Sequence, residues 1–306
     1  MLREYVAVPA SAGVFAHAEG PLAGIDDGVL WVDIPTGTVW QGTVHGMDVV
    51  DAHPLCVVDT TVGAALHADR HGRPSVILLA GTSILEWMPS GPPWELASLP
   101  GVDPALIRFN DAKVDPFGAV VAGTMAFDAA RGSAALYRLR SDGALESLLT
   151  GVTISNGLAW SPDGTTMYYI DSGNNAIERF GYSADEALGP RTRFAEIGLP
   201  TDSRAPGAPD GMCIDSDEHL WVAVWGSGEV RRYSPDGRLV AVVTVEASNV
   251  SSCAFVGRDH DRLMITTSLQ GVSTMQHLAQ PQSGRLFLAD VGVTGLAPAI
   301  FRGHGG

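Results

Sequence analysis

The 306-residue sequence has few cysteines, and they are scattered: Cys56, Cys213 and Cys253, with no Cys-x-x-Cys pair. An odd number of isolated cysteines argues against a disulfide framework and against a cysteine-ligated zinc site. Cys213 and Cys253 lie in apolar runs, where free cysteines usually pack as small core residues. The sequence also lacks a Gly-x-Ser-x-Gly elbow and a glycine-rich phosphate loop. These absences disfavour a serine hydrolase and a nucleotide-driven enzyme.

Long apolar runs and basic residues are scarce as well. No run approaches the ~18 residues that a membrane span needs, and no apolar segment typical of a secretion signal follows the first residues. The 19 Lys and Arg stand against 34 Asp and Glu, which gives a formal net charge of −15. Such a chain is a poor electrostatic match for nucleic acid or an anionic membrane. We therefore expect a cytoplasmic protein without nucleic-acid or membrane partners, and its oligomeric state stays open.

Amphipathic helices are almost missing, and short strand-like runs recur instead at intervals of roughly 43 to 53 residues. Gly, Pro, Asp and Asn bound these runs, and most are followed by a turn and a second strand. A period in the forties with several strands per unit is typical of a β-propeller. The runs are Val29–Val32, Val76–Leu79, Val120–Gly123, Met167–Ile170, Leu220–Val224 and Leu263–Thr266.

The period predicts an all-β fold, a six-bladed β-propeller with four-stranded blades that forms a single domain over residues 1–306. Six units of about 51 residues account for the length. A pair of β-sandwiches would not produce such a period, and a parallel β-helix would produce a much shorter one. No unit can bury both faces of its small sheet alone, so the units must pack around an axis.

Three segments repeat one pattern in phase: Asn110–Gly118, Asn156–Gly164 and Asp210–Glu218. Each opens with Asn or Asp, has Asp or Ser five positions later, and passes through a turn into an apolar run. A single Asn-Gly or Asp-Gly would be read as turn chemistry. Three openings in phase predict instead that the opening residues occupy equivalent places and meet in space.

We expect the opening residues to meet at one mouth of the central channel, just before apolar runs that form the innermost strands. Equivalent positions in the first and last units are Glu19 and Ser252, so one mouth should carry Glu19, Asn110, Asn156, Asp210 and Ser252. Carboxylate and carboxamide oxygens suit a hard cation such as Ca²⁺ or Mg²⁺. Mn²⁺ or Zn²⁺ with added waters is an alternative.

The nine histidines show no metal-binding spacing. His67 and His71 flank what looks like a loop and are expected at the surface. His17 lies two residues before Glu19 and is interpreted as a structural histidine that could approach the site.

Nine short segments match the motifs of a known family in that family's order, and together they span nearly the whole chain. They are Ala18–Pro21, Leu30–Pro35, Arg108–Pro116, Ala122–Met125, Ser155–Gly164, Tyr169–Ser172, Pro209–Asp215, Leu220–Ala223 and Ser252–Phe255. On these segments the chain resembles the gluconolactonase, regucalcin (senescence marker protein) and luciferin-regenerating enzyme family of six-bladed propellers.

The resemblance implies one divalent metal held by Glu19, Asn156 and Asp210, with Ca²⁺ expected first and Zn²⁺, Mg²⁺ or Mn²⁺ as alternatives. It also implies that Asp210 acts as the general base. The metal would polarise the carbonyl of a sugar-type lactone while Asp210 activates a water molecule.

The resemblance further implies that Arg108 and Asn110 contact the substrate. Asp128 falls where the family often has Glu, another substrate contact, and this shorter acid points to a different or larger substrate. We expect specificity to depend on lid and rim loops such as Met88–Pro100 and Ser203–Ala208.

Three functions stay open at this point. The first is a metal-dependent lactone hydrolase. The second is an organophosphate or other ester hydrolase on the same site, and the third is a calcium-binding regulatory protein without catalysis.

Overall fold

The computed structural model of the protein describes residues 2–197 and 206–303, and most of them lie in short strands. The first two strands, β1 (Arg3–Val6) and β2 (Val8–Pro9), precede the first blade and join sheets formed later in the chain. Six sheets of antiparallel strands follow, and they form the predicted six-bladed β-propeller.

The first three blades are continuous in sequence, each with its strands in simple up-and-down order. Blade 1 contains β3 (Ala18–Ala23), β4 (Gly28–Asp33), β5 (Thr38–His45) and β6 (Asp48–Val57). Blade 2 contains β7 (Val62–Arg70), β8 (Arg73–Ala80), β9 (Ser83–Trp87) and β10 (Trp94–Ser98). Blade 3 contains β11 (Ile107–Val114), β12 (Val120–Ala126), β13 (Ala134–Leu139) and β14 (Leu145–Val152).

The last three blades follow the same order, except that the chain's N-terminal strands complete two of them. Blade 4 contains β15 (Ser155–Trp160), β16 (Thr166–Asp171), β17 (Ala176–Gly181) and β18 (Thr192–Glu196). Blade 5 contains β19 (Ala208–Ile214), β20 (Leu220–Trp225), β21 (Glu229–Tyr233) and β22 (Leu239–Thr244), with β1 parallel to β22. Blade 6 contains β23 (Val250–Val256), β24 (Arg262–Thr267), β25 (Phe287–Ala289) and β2.

Helices are minor. Two 3-10 turns, Ile34–Thr36 and Ser172–Asn174, follow the second strands of blades 1 and 4. The helix α1 (Thr274–Ala279) lies between β24 and β25. Within the described residues, no helix is both long enough and apolar enough to cross a bilayer.

The first strand of each blade lines the central channel. β3, β7, β11, β15, β19 and β23 each contact the first strand of the next blade, and β23 contacts β3 to close the ring. The apolar runs predicted as innermost strands are therefore the second strands, β4, β8, β12, β16, β20 and β24. A second strand is buried by neighbouring blades on both faces, so it reads as a continuous apolar run. An innermost strand borders the channel and has a mixed sequence.

Six apolar clusters hold the ring together, each lying between two consecutive blades. Trp31 and Trp221 are fully buried in two of them. The prediction that Cys213 and Cys253 are core residues is confirmed, because both are buried and free, with their sulfurs 3.8 Å apart between blades 5 and 6. Because each blade buries its faces only against its neighbours, blades 6 and 1 must pack together for the ring to close.

Every innermost strand carries a β-bulge at the same height. A bulge lets two residues of one strand oppose a single residue of its partner, and it redirects side chains locally. The register of these strands against their second strands shifts between Glu19 and Leu22, Val62 and Ala65, Phe109 and Ala112, Asn156 and Leu158, Pro209 and Met212, and Val250 and Ser252.

The second position shared by the three repeats, five residues after each opening residue, has a structural role at the opposite end of the channel. Asp115 Oδ1 accepts hydrogen bonds from the backbone N–H groups of Phe117 and Ala119 at 2.9 and 2.8 Å. Asp215 accepts two equivalent backbone bonds, and its other oxygen accepts from Trp221 Nε1 at 2.8 Å. These carboxylates organise the turn between the first two strands of their blades.

A C-terminal segment runs across the end of the channel that lies away from the bulges. Gly295 forms a bridge with Asp215 in blade 5, and β26 (Phe301–Arg302) pairs in parallel with β7 in blade 2. Between these anchors, residues 296–299 and the ends of all six innermost strands line a cavity of about 270 Å³. The bulges therefore face the opposite mouth.

Candidate active site

The residues predicted for the channel mouth are brought together at the bulges. Glu19, Asn110, Asn156, Asp210 and Ser252 lie in the innermost strands of blades 1, 3, 4, 5 and 6, and all five side chains are buried. They lie within the innermost strands, whereas the sequence analysis placed them just before those strands. The shared bulge explains why residues some fifty positions apart become neighbours.

The glycines of the Asn-Gly and Asp-Gly pairs allow adjacent strands to approach each other. A Cβ atom on Gly157 would lie 2.7 Å from the carbonyl oxygen of Asp210, and one on Gly211 would lie 2.0 Å from Ser252 Oγ. No turn occurs at either pair, because both lie inside strands. Here glycine is required for space between blades rather than for turn formation.

The carboxylate of Asp210 lies in a strongly negative environment. Burial raises its pKa well above the usual range, and the charges of Glu19 and Asp111 raise it further. A hydrogen bond from Asn156 and the charge of Arg108 act in the opposite direction. In the protein alone, the ionised form of Asp210 is therefore disfavoured until a further positive charge is supplied.

Asp111 is a member of this cluster that the sequence reasoning missed. Burial raises its pKa to about 7, with Glu19 adding to the rise, while Lys113 and a hydrogen bond from the backbone of Ala112 oppose it. Nothing in the sequence indicated the bulge, and in a regular strand Asn110 and Asp111 would point to opposite faces. A charged residue next to Asn110 in a buried strand was the only available hint.

Two cations balance the cluster in part. Burial lowers the pKa of Arg108 to about 10, although the charges of Glu19 and Asp210 counteract the decrease, so its guanidinium stays protonated at neutral pH. Its Nη1 atom donates to the carbonyl of Phe109 at 2.9 Å. Lys113, the only lysine in the sequence, donates from Nζ to the carbonyl of Met212.

Two oxygens of the site are buried and, within the described part of the chain, have no hydrogen-bond partner: Glu19 Oε1 and Asn156 Oδ1. The amide of Asn156 is held in place because its Nδ2 donates to Ser172 Oγ at 3.2 Å, and Ser172 Oγ donates to the carbonyl of Pro209 at 2.7 Å. Buried unsatisfied oxygens are costly unless a ligand fills the gap.

The donor set of Glu19, Asn156 and Asp210 fits a hard divalent cation. All three offer oxygen, and a cation there would satisfy both unpartnered atoms and offset the carboxylate repulsion. Across residues 2–197 and 206–303, no three His, Cys, Asp or Glu side chains form a metal-binding group. A metal here would thus depend on the amide oxygen of Asn156.

Asn110 and Asp128 occupy different environments on blade 3. Asn110 is buried, and its Nδ2 donates to the carbonyl of Ser155 in blade 4 at 2.9 Å. Asp128 is exposed beyond the end of β12, where its Oδ1 accepts from the backbone N–H of Ala130 at 3.0 Å. The structure brings Asn110 into the cluster and leaves Asp128 at the rim.

Histidines contribute less than the carboxylates. His17 Nε2 lies 3.6 Å from Glu19 Oε2, and its ring stacks on Trp225 with centroids 5.5 Å apart, so it does approach the site. His71 is exposed, as expected. The expectation for His67 was wrong, because it lies half-buried in β7 and bonds through Nε2 to the carbonyl of Ala23 at 2.7 Å.

The predicted rim loops are only partly at the rim. Met88–Pro100 was misplaced, since residues 88–93 connect β9 to β10 at the end opposite the bulges and Trp94–Ser98 form β10. In an up-and-down blade, the connection after the third strand always lies at the end opposite the start of the first. Residues 203–205 of Ser203–Ala208 lie outside the described residues.

The sequence is similar to known proteins over much of its length. Residues 17–269 match the family model described as SMP-30/Gluconolactonase/LRE-like region. YvrE of Bacillus subtilis strain 168, described provisionally as a sugar lactone lactonase, is 37% identical over 202 residues, which are 64% of this chain and 66% of YvrE. The chain thus spans just under two thirds of that relative's length. Regucalcin of Sus scrofa is 36% identical over 204 residues, 64% of this chain and 67% of its own length.

The fold is also shared with a solved structure. The crystal structure of a calcium-binding protein, regucalcin, from Agrobacterium tumefaciens superposes with a TM-score of 0.87 at 24% identity, covering 99% of both chains. At this identity the likeness establishes the fold alone. The family model covers most of the chain, so the protein belongs to the SMP-30/gluconolactonase/LRE-like family.

Proposed function

We propose that this protein is a divalent-metal-dependent hydrolase that opens sugar-type lactones. The observation that carries the proposal is the pair of unpartnered buried oxygens, Glu19 Oε1 and Asn156 Oδ1, beside the carboxylate of Asp210. The relatives support it, because the family description includes gluconolactonase and YvrE is described provisionally as a sugar lactone lactonase.

Glu19, Asn156 and Asp210 would hold the cation, with Ca²⁺ expected first and Zn²⁺, Mg²⁺ or Mn²⁺ as alternatives. When bound, it would supply Lewis-acid polarisation of the lactone carbonyl. The calcium-binding regucalcin of the same fold makes calcium the first cation to test.

Asp210 acts as the general base in this proposal. It accepts a proton from a water molecule as the water oxygen bonds to the acyl carbon. The bond between that carbon and the ring oxygen then breaks, and the ring oxygen takes the proton back to become a hydroxyl. The product is an open-chain hydroxy acid. A cation beside Asp210 lowers its pKa and so counteracts the effect of burial.

Arg108 and Asn110 orient the substrate. The buried guanidinium of Arg108 donates charge-assisted hydrogen bonds to a substrate oxygen and to the carboxylate of the product. Asn110 has its Nδ2 engaged by Ser155, so its amide oxygen is the group that accepts from a substrate hydroxyl. Asp128 is an outer contact that only a substrate extending to the rim would reach.

Calcium binding without catalysis is the second candidate, and the relatives named regucalcin are the observation that favours it. Both functions use the same three ligands. The base separates them, since a calcium-binding protein does not need a carboxylate that exchanges protons with water.

The test is the substitution Asp210→Asn, with Asp217→Asn, an exposed aspartate of the same blade, as the matched control. We expect Asp210→Asn to lower kcat for lactone opening by about 10²-fold to 10⁴-fold, the usual contribution of a general base. The control should keep full activity, and circular dichroism should show both variants folded. Undiminished lactone hydrolysis by Asp210→Asn would overturn the proposed role of this residue. Specific Ca²⁺ binding with no lactone hydrolysis by the wild type would favour the second candidate.

A further inference from the structure

Two large apolar side chains are exposed side by side at the mouth end of blade 3. Leu106 is 62% exposed and Phe127 is 52% exposed. Leu106 directly precedes β11 and Phe127 directly follows β12, and the backbone N–H of Phe127 donates to the carbonyl of Leu106 at 3.0 Å. Single exposed apolar residues are ordinary on a protein surface. This pair is different because of its position relative to the site.

The register of blade 3 places the pair on the same face as Arg108. Arg108 lies opposite Met125 in the antiparallel pairing of β11 with β12, and Leu106 lies opposite Phe127 two residues nearer the mouth. Opposed residues share a face, and residues two apart along a strand share it as well. The four side chains therefore form one strip that starts at the substrate-orienting arginine.

This strip faces the channel side of blade 4. Phe109 points to the other face, where it is buried in the apolar cluster between blades 2 and 3. Met125 forms a bridge with Ile154 at the start of blade 4. Two residues along a strand span about 6.6 Å. The strip thus extends from Arg108 toward solvent by about the length of a phenyl ring or a four-carbon chain.

Along this strip, the described residues offer few polar groups to a polyhydroxy substituent. Asp128, the acidic residue next to Phe127, is exposed, and its Oδ1 accepts a hydrogen bond from the backbone N–H of Ala130 in the same turn. Among the described residues of blade 3, the side chains that continue from Arg108 toward solvent on this face are those of Met125, Leu106 and Phe127. Hydrocarbon of this kind favours an apolar group over a hydroxylated one, because burying it removes apolar surface from water on both partners.

We propose that the natural sugar-type lactone carries, beside the hydroxylated ring that Arg108 and Asn110 orient, an apolar substituent, an alkyl chain or an aromatic ring, and that Leu106, Met125 and Phe127 bind this substituent. This inference rests on the proposed hydrolase function and specifies its substrate class. Phe127 and Leu106 are specificity-determining residues in it, and the reacting atoms stay with the buried cluster.

The test compares kcat/KM for three γ-lactones with the same hydroxylated ring but a hydroxyalkyl, a butyl or a phenyl substituent, all measured with the Ca²⁺-loaded protein. We expect the wild type to prefer the butyl and phenyl lactones by about tenfold, the smaller end of the discrimination given by apolar contacts. Phe127→Ala and Leu106→Ala should each reduce that preference about fourfold, which corresponds to one methylene of lost burial. Both side chains are exposed, so neither substitution should disturb folding.

Phe117→Ala is the matched control. Phe117 is 53% exposed at the opposite end of the same two strands, where it stacks on Tyr182. Its removal should leave the preference unchanged. A wild type that hydrolyses the hydroxyalkyl lactone as well as the others, or a preference that survives Phe127→Ala and Leu106→Ala together, overturns the inference while leaving the hydrolase intact. Failure to open any of the three lactones overturns the inference together with the function on which it rests.

Discussion

Asp111→Asn should remove the part of the metal-free protein's pH-dependent loss of stability that Asp111 contributes. The carboxyl of Asp111 is fully buried, and burial, with a smaller contribution from Glu19, raises its pKa to about 7 from an ordinary value of 3.8. Asparagine has nearly the same shape and cannot ionise. The two proteins therefore differ mainly in whether a proton must leave this site as the pH rises.

The magnitude follows from the difference between the folded and unfolded pKa values. Between pH 4 and pH 7 the unfolded chain has lost the proton of Asp111 while the folded protein still holds it, so the free energy of unfolding falls as the pH rises. The pKa values of about 7 and 3.8 differ by about 3.2, which corresponds to about 4 kcal/mol at 1.36 kcal/mol per pH unit. This is an upper limit, because relaxation and water entry reduce the penalty of ionising a buried group.

Urea unfolding in a chelator at half-unit steps from pH 4.5 to pH 8 measures the effect. The difference in unfolding free energy between Asp111→Asn and the wild type should increase in favour of the variant across this range. Carboxylates outside the cluster titrate in both proteins and cancel in the difference. Asp210 loses the repulsion of the Asp111 charge in the variant, so its pKa is raised less there, and this adds to the difference in the same direction. Adding Ca²⁺ should shrink the difference, since a bound cation neutralises the repulsion. Parallel curves for the two metal-free proteins would refute the assignment of a raised pKa to Asp111.

Three further substitutions test the structural account. Gly211→Ala should destabilise the fold by more than about 2 kcal/mol, because its Cβ would lie 2.0 Å from Ser252 Oγ; unchanged urea unfolding would contradict the close approach of blades 5 and 6. Asp215→Asn should lower the free energy of unfolding in urea by about 2–4 kcal/mol, because the hydrogen bonds from Trp221 and Arg232 are weakened. The kcat per folded molecule should stay unchanged. Loss of activity in the folded variant would contradict a purely structural role. Lys113→Met removes the cation that lowers the pKa of Asp111, so the stability decrease of the metal-free protein should extend to higher pH; an unchanged pH midpoint would contradict that coupling.

The sequence predicted the fold well because a period of forty-odd residues reflects one packing unit repeated around an axis. It misassigned strands within each blade. Val120–Gly123 lies in β12, a second strand that neighbouring blades bury on both faces. It is therefore more apolar than β11, the innermost strand beside it. Apolar content follows burial on both faces, and proximity to the channel does not increase it.

The site was predicted in part for a similar reason. In-phase repetition identifies Asn110, Asn156 and Asp210 because the repeat places them at equivalent bulges. It does not identify Asp111, since a bulge changes the direction of one side chain without any change in composition. Trp225 was also missed, because its contact with His17 joins blade 5 to the residue directly before β3 of blade 1 and depends on ring closure.

Metal dependence of lactone opening is the central claim, and a reconstitution assay tests it most directly. The protein is stripped of metal with a chelator, and acid release from a panel of lactones is followed as Ca²⁺, Mg²⁺, Mn²⁺ and Zn²⁺ are restored one at a time. The account predicts negligible hydrolysis by the stripped protein, recovery with at least one cation, and no recovery with any cation in Asn156→Ala. Full lactone hydrolysis by the stripped protein would contradict it.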